Sequence, residues 1–164
     1  MAAEQNGHDN GTFHISVGDA ELNFRPVQID DPVPTGRQIL EAAGVRIPEE
    51  HLVFQLLRDG ELEELRQDET TDLRGGRAER FLIFPGAESF RIELDGQVLE
   101  WGACAISGRV LKTIAKVDPK TYGVWLEVRG AEDRPIGDTE LVRLDGKGLE
   151  RFFTGISQTT EGGA

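Results

Sequence analysis

The nonapeptides TGRQILEAA at residues 35–43 and SGRVLKTIA at residues 107–115 share a hydroxyl residue, a glycine and an arginine, followed by apolar residues at helical spacing. Each nonapeptide lies between an apolar stretch that opens with phenylalanine and a Glu-Arg-Phe triplet. These flanking anchors are FHISV at 13–17 and ERF at 79–81 around the first, and FRIEL at 90–94 and ERF at 150–152 around the second. Anchors that recur in one order at a spacing of about 70 residues indicate an internal duplication. The sequence therefore predicts two copies of one module.

Each copy predicts two strands, one helix and two further strands. Thr35 and Ser107 are suitable N-caps for the helices, and Gly44 is a stop signal for the first. Gly18-Asp19 and Asp95-Gly96 mark hairpin turns between the first two strands of each copy. The predicted strands are Phe13–Val17, Ala20–Phe24, His51–Leu57 and Arg80–Phe84 in the first copy, and Phe90–Leu94, Gln97–Trp101, Tyr122–Val128 and Arg151–Ile156 in the second. The predicted fold class is α+β, with two tandem β-grasp domains of ββαββ order, in which a mixed sheet packs on a single helix.

The predicted organisation has five segments. They are a disordered arm at residues 1–12, a first domain at 13–85, a linker at 86–89, a second domain at 90–156 and a flexible C-terminal tail at 157–164 that ends in Gly-Gly-Ala. The arm is polar and has nothing to bury, and the linker is too short to separate the domains widely. The segment from Asp30 to Pro34 lengthens the first copy and is expected to be a surface insertion.

The charge and hydropathy of the chain exclude two classes of partner. The net charge of -12 argues against binding to nucleic acid, because repulsion would replace counterion release at the phosphates. No basic run favours a membrane surface, and no apolar stretch approaches the roughly 20 residues that span a bilayer. The first residues lack the basic and apolar regions of a signal peptide. The expected localisation is therefore cytoplasmic.

Cysteine and histidine usage predicts neither a catalytic centre nor a metal or cofactor site. Cys104 is the only cysteine and lies in an apolar run, so it is expected to be a buried small hydrophobe. The histidines, His8, His14 and His51, show no ligand spacing, and the second copy contains no histidine that could activate a nucleophile. The sequence therefore does not predict an enzyme.

The chain resembles the bacterial multi-ubiquitin proteins, which carry tandem ubiquitin-like β-grasp repeats. The resemblance covers residues 13–163 and depends on the duplicated [Ser/Thr]-Gly-Arg helix start, the Glu-Arg-Phe closing strand and the Gly162-Gly163 pair. It implies a ubiquitin-like fold for both copies and the function of a protein modifier that is processed, activated and attached to targets. It also implies the partners: an adenylating (activating) enzyme, a conjugating enzyme, a metallopeptidase that removes Ala164 and a target protein.

The tail suits this chemistry. The segment from Ser157 to Gly163 is polar, and seven extended residues reach about 23 Å, which is long enough to place a carboxylate in the active site of another protein. Gly162 and Gly163 have no side chain, so they can pass through a narrow channel in unusual backbone conformations. Ala164 blocks the carboxyl group of Gly163, so this form is expected to be a precursor that is cut between the two residues.

Other interpretations of the tail stay open. Small polar residues are common at chain ends, so the chain could be an adaptor whose tandem domains bind partners non-covalently and whose tail has no role. A sulfur carrier is a second alternative, because β-grasp carriers also end in Gly-Gly. Those carriers are usually single modules with the diglycine at the very end, and both the duplication and Ala164 disagree with that pattern.

A second diglycine, Gly75-Gly76, precedes the closing strand of the first copy. Cleavage after Gly76 would remove the strand Arg80–Phe84 from that copy. We therefore interpret these glycines as part of a turn.

The lysines and one tryptophan are candidates for further contacts. The four lysines, Lys112, Lys116, Lys120 and Lys147, all lie in the second copy and are the possible acceptors for chain formation. The first three are expected on the polar side of the helix and at its exit. Alternation places Trp125 on the sheet face opposite Val124, Leu126 and Val128. Trp125 is therefore expected either to form an exposed partner patch with Phe153 or to pack against the first module.

Overall fold

A computed structural model of the chain describes residues 12–58, 60–75, 78–146 and 148–157. The chain divides into two units, Met1–Glu88 and Ser89–Ala164, and each contains one copy of the duplicated sequence. The predicted arm, apart from Thr12, and the predicted tail beyond Ser157 lie outside the described residues. None of the helices in the described ranges has the length and apolar character needed to cross a bilayer.

The first unit is a five-stranded mixed sheet with one helix. Its elements are β1 (Phe13–Gly18), β2 (Phe24–Ile29), α1 (Gly36–Ala42), β3 (His51–Leu57), β4 (Leu62–Leu65) and β5 (Ala78–Pro85), with short 3-10 turns at Pro48–Glu50 and Leu73–Gly75. The strand order is β2-β1-β5-β3-β4. The first and last strands, β1 and β5, are parallel neighbours, and the other pairs are antiparallel. The closing strand is therefore at the centre of the sheet.

The second unit repeats this plan. Its elements are β6 (Phe90–Leu94), β7 (Gln97–Trp101), β8 (Ala105–Ser107), α2 (Gly108–Ala115), β9 (Tyr122–Leu126), β10 (Arg134–Ile136), β11 (Leu141–Arg143) and β12 (Glu150–Ile156). The main sheet has the order β10-β9-β12-β6-β7, and β8 pairs with β11 in a separate ladder. The predicted α+β class with two ubiquitin-like domains is confirmed. Every predicted strand has a counterpart, and the structure adds β4, β8, β10 and β11.

Both helices bury their apolar stripe. In α1, Ile39 and Leu40 are fully buried in one cluster with Val17, Val53 and Phe81. In the second unit, the fully buried residues include Ile92, Trp101, Val110 and Leu111, with Val124 and Phe152 almost fully buried. The indole Nε1 of Trp101 donates to the carbonyl of Ala105 at 3.0 Å, so the polar atom of this large core residue has a partner.

The predicted β2 was placed too early in the chain. The Asp19 carboxylate accepts the N–H groups of Glu21 (2.9 Å) and Asn23 (3.1 Å), and Leu22 has a φ of 61°. These bonds close a loop at residues 19–23, so β2 begins at Phe24, where the predicted strand ended. Asp-Gly in the second unit behaves as predicted: Asp95 and Gly96 have φ values of 53° and 84°, which is the geometry of a tight hairpin turn.

The predicted third strand of the second copy was two residues too long. β9 ends at Leu126, although the N–H of Glu127 still donates to the carbonyl of Arg151 at 2.8 Å. The carbonyl of Val128 accepts the N–H of Ala131, and Gly130 has a φ of 76°. A turn therefore replaces the end of the predicted strand.

The insertion of the first copy is tied to α1 and to the next loop. The Asp31 carboxylate accepts the backbone N–H of Val33 at 2.9 Å and the side-chain amide of Gln38 at 3.0 Å, which together lower the pKa of Asp31. The carbonyls of Pro32 and Pro34 accept the N–H groups of Leu73 and Thr71. The expected surface insertion is therefore an ordered part of the first unit.

The [Ser/Thr]-Gly-Arg motif starts both helices as predicted. The Thr35 hydroxyl accepts the N–H of Gln38, whose side chain returns a bond to the Thr35 N–H, and the Ser107 hydroxyl accepts the N–H of Val110. Each cap satisfies one of the free donors at the start of the helix.

The first two N–H groups of each helix donate to a later loop. In the first unit, Gly36 and Arg37 donate to the carbonyls of Glu69 and Gln67 at 2.9 and 3.1 Å. In the second unit, Gly108 and Arg109 donate to the carbonyls of Glu140 and Asp138 at 3.3 and 3.0 Å. The loop that follows β4 or β10 thus caps the helix by its backbone.

This close approach explains the glycine of the motif. A Cβ at Gly36 would overlap the carbonyl oxygen of Arg66, and a Cβ at Gly108 would overlap that of Gly137. The loop of the second unit is fixed by Glu140, whose carboxylate accepts from the Arg134 guanidinium and from the Gly137 N–H at 3.0 Å. Both bonds lower the pKa of Glu140, and the bond from Arg134 has the larger effect.

The two helices end in the same motif with different residues. After α1, Gly44 has a φ of 89°, and the N–H of Val45 donates back to the carbonyl of Leu40 at 3.0 Å. After α2, Lys116 occupies the corresponding left-handed position with a φ of 62°, and Val117 donates to Lys112 at 3.3 Å. The predicted stop at Gly44 is thus a glycine-terminated helix end.

We expect Gly108→Ala to lower the free energy of unfolding by about 1–3 kcal/mol, because the new methyl group must displace a backbone carbonyl. Alanine normally stabilises a helix more than glycine does. A loss of stability would therefore show that the overlap with the carbonyl outweighs helix propensity. Gly146→Ala is the control, since nothing lies within 4 Å of its Cβ position. Urea denaturation measures both variants, and equal stabilities would contradict the explanation.

Candidate functional site

Two aromatic side chains lie together on the second sheet. Trp125 on β9 and Phe153 on β12 are registered partners, with ring centroids 5.7 Å apart and planes inclined by 14°. Their neighbours in sequence, Val124 and Phe152, point to the buried side of the sheet. By alternation, the aromatic pair occupies the opposite side, which we call the outer face of the second sheet.

A pair of glycines makes room for the indole ring. Gly123 and Gly155 are the next registered pair on the outer face. A Cβ built at Gly123 would lie 3.1 Å from Cη2 of Trp125, and one built at Gly155 would lie 3.4 Å from Cζ3. The six-membered ring of Trp125 therefore lies over the two glycines, and a larger residue at Gly123 would force it to move.

The structure places Trp125 partly buried, whereas 36% of Phe153 is exposed to solvent. The two predicted patch residues are thus brought together within one unit. A side chain on a partner protein could stack on this aromatic pair, and its rigid rings would lose little conformational entropy on binding.

Polar contacts hold β12 in place beside the aromatic pair. The Asp95 carboxylate in the β6–β7 turn accepts the backbone N–H of Thr154 at 2.8 Å and its hydroxyl at 2.9 Å. The Asp95 N–H donates to the carbonyl of Phe152 at 3.0 Å. On the outer face, Nε of Arg151 lies 3.2 Å from Oε1 of Glu93, which is its registered partner on β6.

The strand that carries Phe153 leads directly to the predicted conjugation site. After Ile156, the N–H of Ser157 donates to the carbonyl of Thr121 at 2.7 Å, so the pairing with the β9 side continues to the last described residue of the chain. Gly162, Gly163 and Ala164, the predicted processing and conjugation residues, lie outside the described residues.

Lys112 does not lie on the polar side of α2, and this prediction was wrong. Its side chain is 9% exposed, and its ammonium group lies 2.8 Å from Oδ1 of Asp138 and donates to the carbonyl of Pro119 at 3.2 Å. The corresponding position of α1 is the fully buried Leu40. The helical pattern placed Lys112 on the polar face because lysine is charged. In the structure its methylene chain is buried, and its ammonium group is paired with Asp138 of the loop that caps the helix.

The other predicted acceptor lysines differ in environment. Lys116 is exposed at the left-handed end of α2. Lys120 is also exposed, and its backbone N–H donates to the Asp118 carboxylate at 2.9 Å. Lys147 lies outside the described residues. Of the lysines that the structure describes, Lys116 and Lys120 present their side chains to solvent.

Cys104 is exposed, so the expectation of a buried residue was wrong. It lies in the bend between β7 and β8, where its carbonyl accepts the N–H of Leu144 at 2.7 Å. The chain bends within the apolar run that holds Cys104. Trp101 and Ile106 are therefore buried, while Cys104 is exposed.

The described parts of the chain contain no group of three or more His, Cys, Asp or Glu residues that could hold a metal ion. His51 contacts the carbonyl of Ile47 through Nδ1 at 2.9 Å, and His8 lies outside the described residues.

The internal diglycine begins in a turn that precedes a buried strand. Gly75 ends the 3-10 turn at Leu73–Gly75, and Gly76 lies outside the described residues. In the same turn, the Arg74 guanidinium and N–H lower the pKa of Asp72 to about 2. β5 follows at the centre of the sheet with Phe81, Leu82 and Phe84 fully buried. This arrangement supports the interpretation of Gly75 as part of a turn.

We expect an amine-acetylating reagent to modify Lys112 at least about tenfold more slowly than Lys120, because the buried amine reacts only after local opening. Peptide mass mapping over a time course gives both rates. Acetylation in urea is the control, since the two lysines become equivalent in the unfolded chain. Equal rates in the folded protein would show that Lys112 is accessible.

Comparison with known families agrees with this architecture. The model of the family described as Multiubiquitin matches residues 20–86 in the first unit and 90–156 in the second, which together make up more than half of the chain. A search of curated proteins gave no match. Each matched segment contains one [Ser/Thr]-Gly-Arg helix start and one closing strand. The chain therefore belongs to the multiubiquitin family.

Proposed function

We propose that this protein is a ubiquitin-like modifier that is cut after Gly163 and then conjugated through the carboxylate of that glycine. The observation that carries the proposal is the Gly162-Gly163 pair, which follows the last strand of a ubiquitin-like unit by a short polar segment. The family match supports the modifier class, and the position of the glycines relative to β12 supports the site of attachment.

The segment after β12 has the reach that such chemistry requires. Ser157 is still held on the carbonyl of Thr121. From Ser157 to Gly163, six residues span at most about 20 Å. The Gly163 carboxylate can therefore enter an active site while the folded unit stays outside it. Absence of a Cβ at Gly162 and Gly163 allows a narrow channel to fit closely around the reacting carbonyl.

The proposed sequence begins with hydrolysis. Water adds to the amide carbonyl of Gly163, and the bond to the nitrogen of Ala164 breaks, which gives a carboxylate and a free amine. A metallopeptidase is the proposed catalyst of this step. Hydrolysis exposes the carboxylate oxygen that the next enzyme needs.

Activation and transfer follow. A Gly163 carboxylate oxygen attacks the α-phosphorus of ATP, and pyrophosphate leaves. A cysteine thiolate of the activating enzyme then attacks the acyl-adenylate, and AMP leaves. After passage of the thioester to a conjugating enzyme, a target amine attacks the carbonyl and the thiol leaves. Adenylation takes place at phosphorus, and each later transfer takes place at the acyl carbon of Gly163.

The proposal assigns catalysis to the partner enzymes and none to this chain. The second unit contains no histidine, and Cys104 lies in the bend after β7, on a different segment of the unit from β12. The proposed role of this chain is to present one carboxylate.

A non-covalent adaptor is the second candidate function. The partly exposed stack of Trp125 on Phe153 favours it, because aromatic residues are common anchors at protein interfaces. The two functions differ at Gly163, since an adaptor binds through its folded surface and does not need a free glycine carboxylate.

We expect the form that ends at Gly163, incubated with its activating enzyme and ATP, to form an adduct that thiol reagents cleave. Gly163→Val should lower the yield at least about a hundredfold, because a branched side chain beside the reacting carbonyl blocks the narrow channel. Denaturing gels with and without dithiothreitol measure the adduct. Glu161→Val is the matched control, since it places the same side chain two residues earlier, and equal yields for the Gly163 variant and the wild type would reject the modifier function.

We also expect the processing peptidase to cut the protein once. Intact mass spectrometry should show loss of the residue after Gly163 and no fragment that ends at Gly76, because cleavage there would separate β5 from its sheet. Detection of a fragment that ends at Gly76 would show that the first unit is released as well.

A further inference from the structure

The end of β12 is held by the side chain of Asp95. β6 ends at Leu94, and the chain turns away from β12 at that point. The Asp95 N–H donates to the carbonyl of Phe152 at 3.0 Å. The next N–H of β12 that faces β6 belongs to Thr154, and the Asp95 carboxylate accepts it at 2.8 Å, together with the Thr154 hydroxyl at 2.9 Å. The carboxylate therefore takes the place of the carbonyl that a longer β6 would supply.

The first copy forms the same parallel ladder with other residues at these positions. The pairing of β1 with β5 aligns Gly18 with Asp95 and Ile83 with Thr154. Neither Gly18 nor Ile83 has a side-chain oxygen. The aspartate of that turn, Asp19, accepts two N–H groups of its own loop instead. The fold itself therefore does not require the contact, which belongs to the copy that carries the tail.

The two copies also differ in the packing at the end of the last strand. In the first unit, Phe84 on β5 is fully buried and packs edge-on against Phe54, with ring centroids 5.5 Å apart. The equivalent position in the second unit is Gly155, which is registered with Gly123. The next residue, Ile156, is 59% exposed. A glycine and an exposed isoleucine offer little side-chain packing, so hydrogen bonds have to hold the end of β12.

We propose that Asp95 and Thr154 are positioning residues for the Gly163 carboxylate. Their contact fixes the point at which the folded unit ends, and so it sets the length of chain that is available to reach the activating enzyme. This inference rests on the proposed function, and it assigns to that function a side-chain contact within the folded unit.

The contact acts on both the reach and the entropy of the segment. While β12 is held to its end, the segment starts at Ser157, six residues before Gly163, and spans at most about 20 Å. If the strand end detaches, the segment starts at Phe153, ten residues before Gly163, and gains about 13 Å. The additional residues have more conformations, which are lost when the carboxylate enters an active site. A held strand end therefore favours binding whenever the shorter segment is long enough.

The test variant is Asp95→Gly, which removes the carboxylate and introduces the residue of the first copy. The φ of Asp95 is 53°, so glycine keeps the turn, whereas alanine would strain it. Asp95→Asn is the conservative variant, because an amide can accept the Thr154 N–H and donate to the hydroxyl. Asp145→Gly is the matched control, since it removes an exposed carboxylate of the same unit that contacts Arg143 rather than β12.

Amide hydrogen exchange checks the contact without any enzyme. We expect Asp95→Gly to increase the exchange rate of the Thr154 N–H by about tenfold or more, because the acceptor is lost. Asp95→Asn should keep most of the protection, and Asp145→Gly should leave it unchanged. An unchanged exchange rate at Thr154 in Asp95→Gly would show that the carboxylate does not hold the strand end, and it would overturn the inference.

The kinetic test uses the form that ends at Gly163, the cognate activating enzyme and ATP, with adenylation followed by ATP–pyrophosphate exchange. We expect Asp95→Gly to raise KM for the modifier by about three- to tenfold with little change in kcat, because the additional ordering takes place on binding. Asp95→Asn should restore most of the KM, and Asp145→Gly should have the KM of the wild type. Melting curves verify that each variant is folded.

A shortened segment gives a readout that a loss of stability cannot produce. Deletion of Thr159 and Thr160 reduces the span from Ser157 to Gly163 to at most about 13 Å. In this shortened form, Asp95→Gly should raise kcat/KM by about threefold or more, because release of the strand end restores the reach. The same substitution is thus expected to lower kcat/KM with the full segment and to raise it with the short one.

The outcomes separate the inference from the proposed function. If the wild type supports exchange and Asp95→Gly leaves kcat/KM unchanged, or lowers it in the full and shortened forms alike, the positioning role is overturned while the modifier function stands. An effect of Asp145→Gly as large as that of Asp95→Gly also overturns the positioning role. If the wild type supports no exchange with an enzyme shown to be active, the proposed function is rejected and the inference with it.

Discussion

The capping of each helix by the backbone of a later loop is the constraint on which both units depend. The first two helical N–H groups donate to carbonyls more than 28 residues further along the chain, at Glu69 and Gln67 in one unit and at Glu140 and Asp138 in the other. Only glycine lets the loop approach this closely. The contact fixes the start of the helix against the loop that follows β4 or β10, and it joins an early segment of the unit to a late one. In the second unit, Asp138 also pairs with the buried Lys112. This loop therefore contacts α2 at two points, the N–H of Arg109 and the ammonium group of Lys112.

The sequence predicted the helices well because their signals are local. Hydroxyl caps, apolar periodicity and a terminal glycine act within one or two turns, and α1 and α2 begin after Thr35 and Ser107 as these signals indicate. Errors occurred where a side chain forms bonds that a helical or alternating pattern does not include. The loop closed by Asp19 delays β2, and the partners of Lys112 come from residues that a helical pattern does not include. The short strands β8, β10 and β11 carry too few residues for an alternating pattern to identify them.

The candidate site was partly predictable because the alternation of side chains along a strand is also a local signal. Alternation in β9 and the order of the strands placed Trp125 near Phe153, and the two residues are registered partners. The role of Gly123 and Gly155 could not be read from either strand alone, because a glycine in a strand usually indicates a bulge or a turn. A signal exists in the pairing: two glycines opposite each other, next to two aromatic residues opposite each other, leave room for a ring to lie flat. That signal requires the register, which the sequence does not supply.

The parallel pairing of the first and last strands of the second unit has a mechanical consequence. β6 and β12 run side by side in the same direction, with Ile92 opposite Glu150 and Leu94 opposite Phe152. The chain therefore enters β6 at one end of the strands and leaves β12 at the opposite end. A pull on the two ends loads the β6–β12 hydrogen bonds together, in shear, whereas an antiparallel hairpin would open one bond at a time. A machine that drags the unit by its C-terminal end would have to break this ladder, along with the bonds to Asp95, in a single cooperative step.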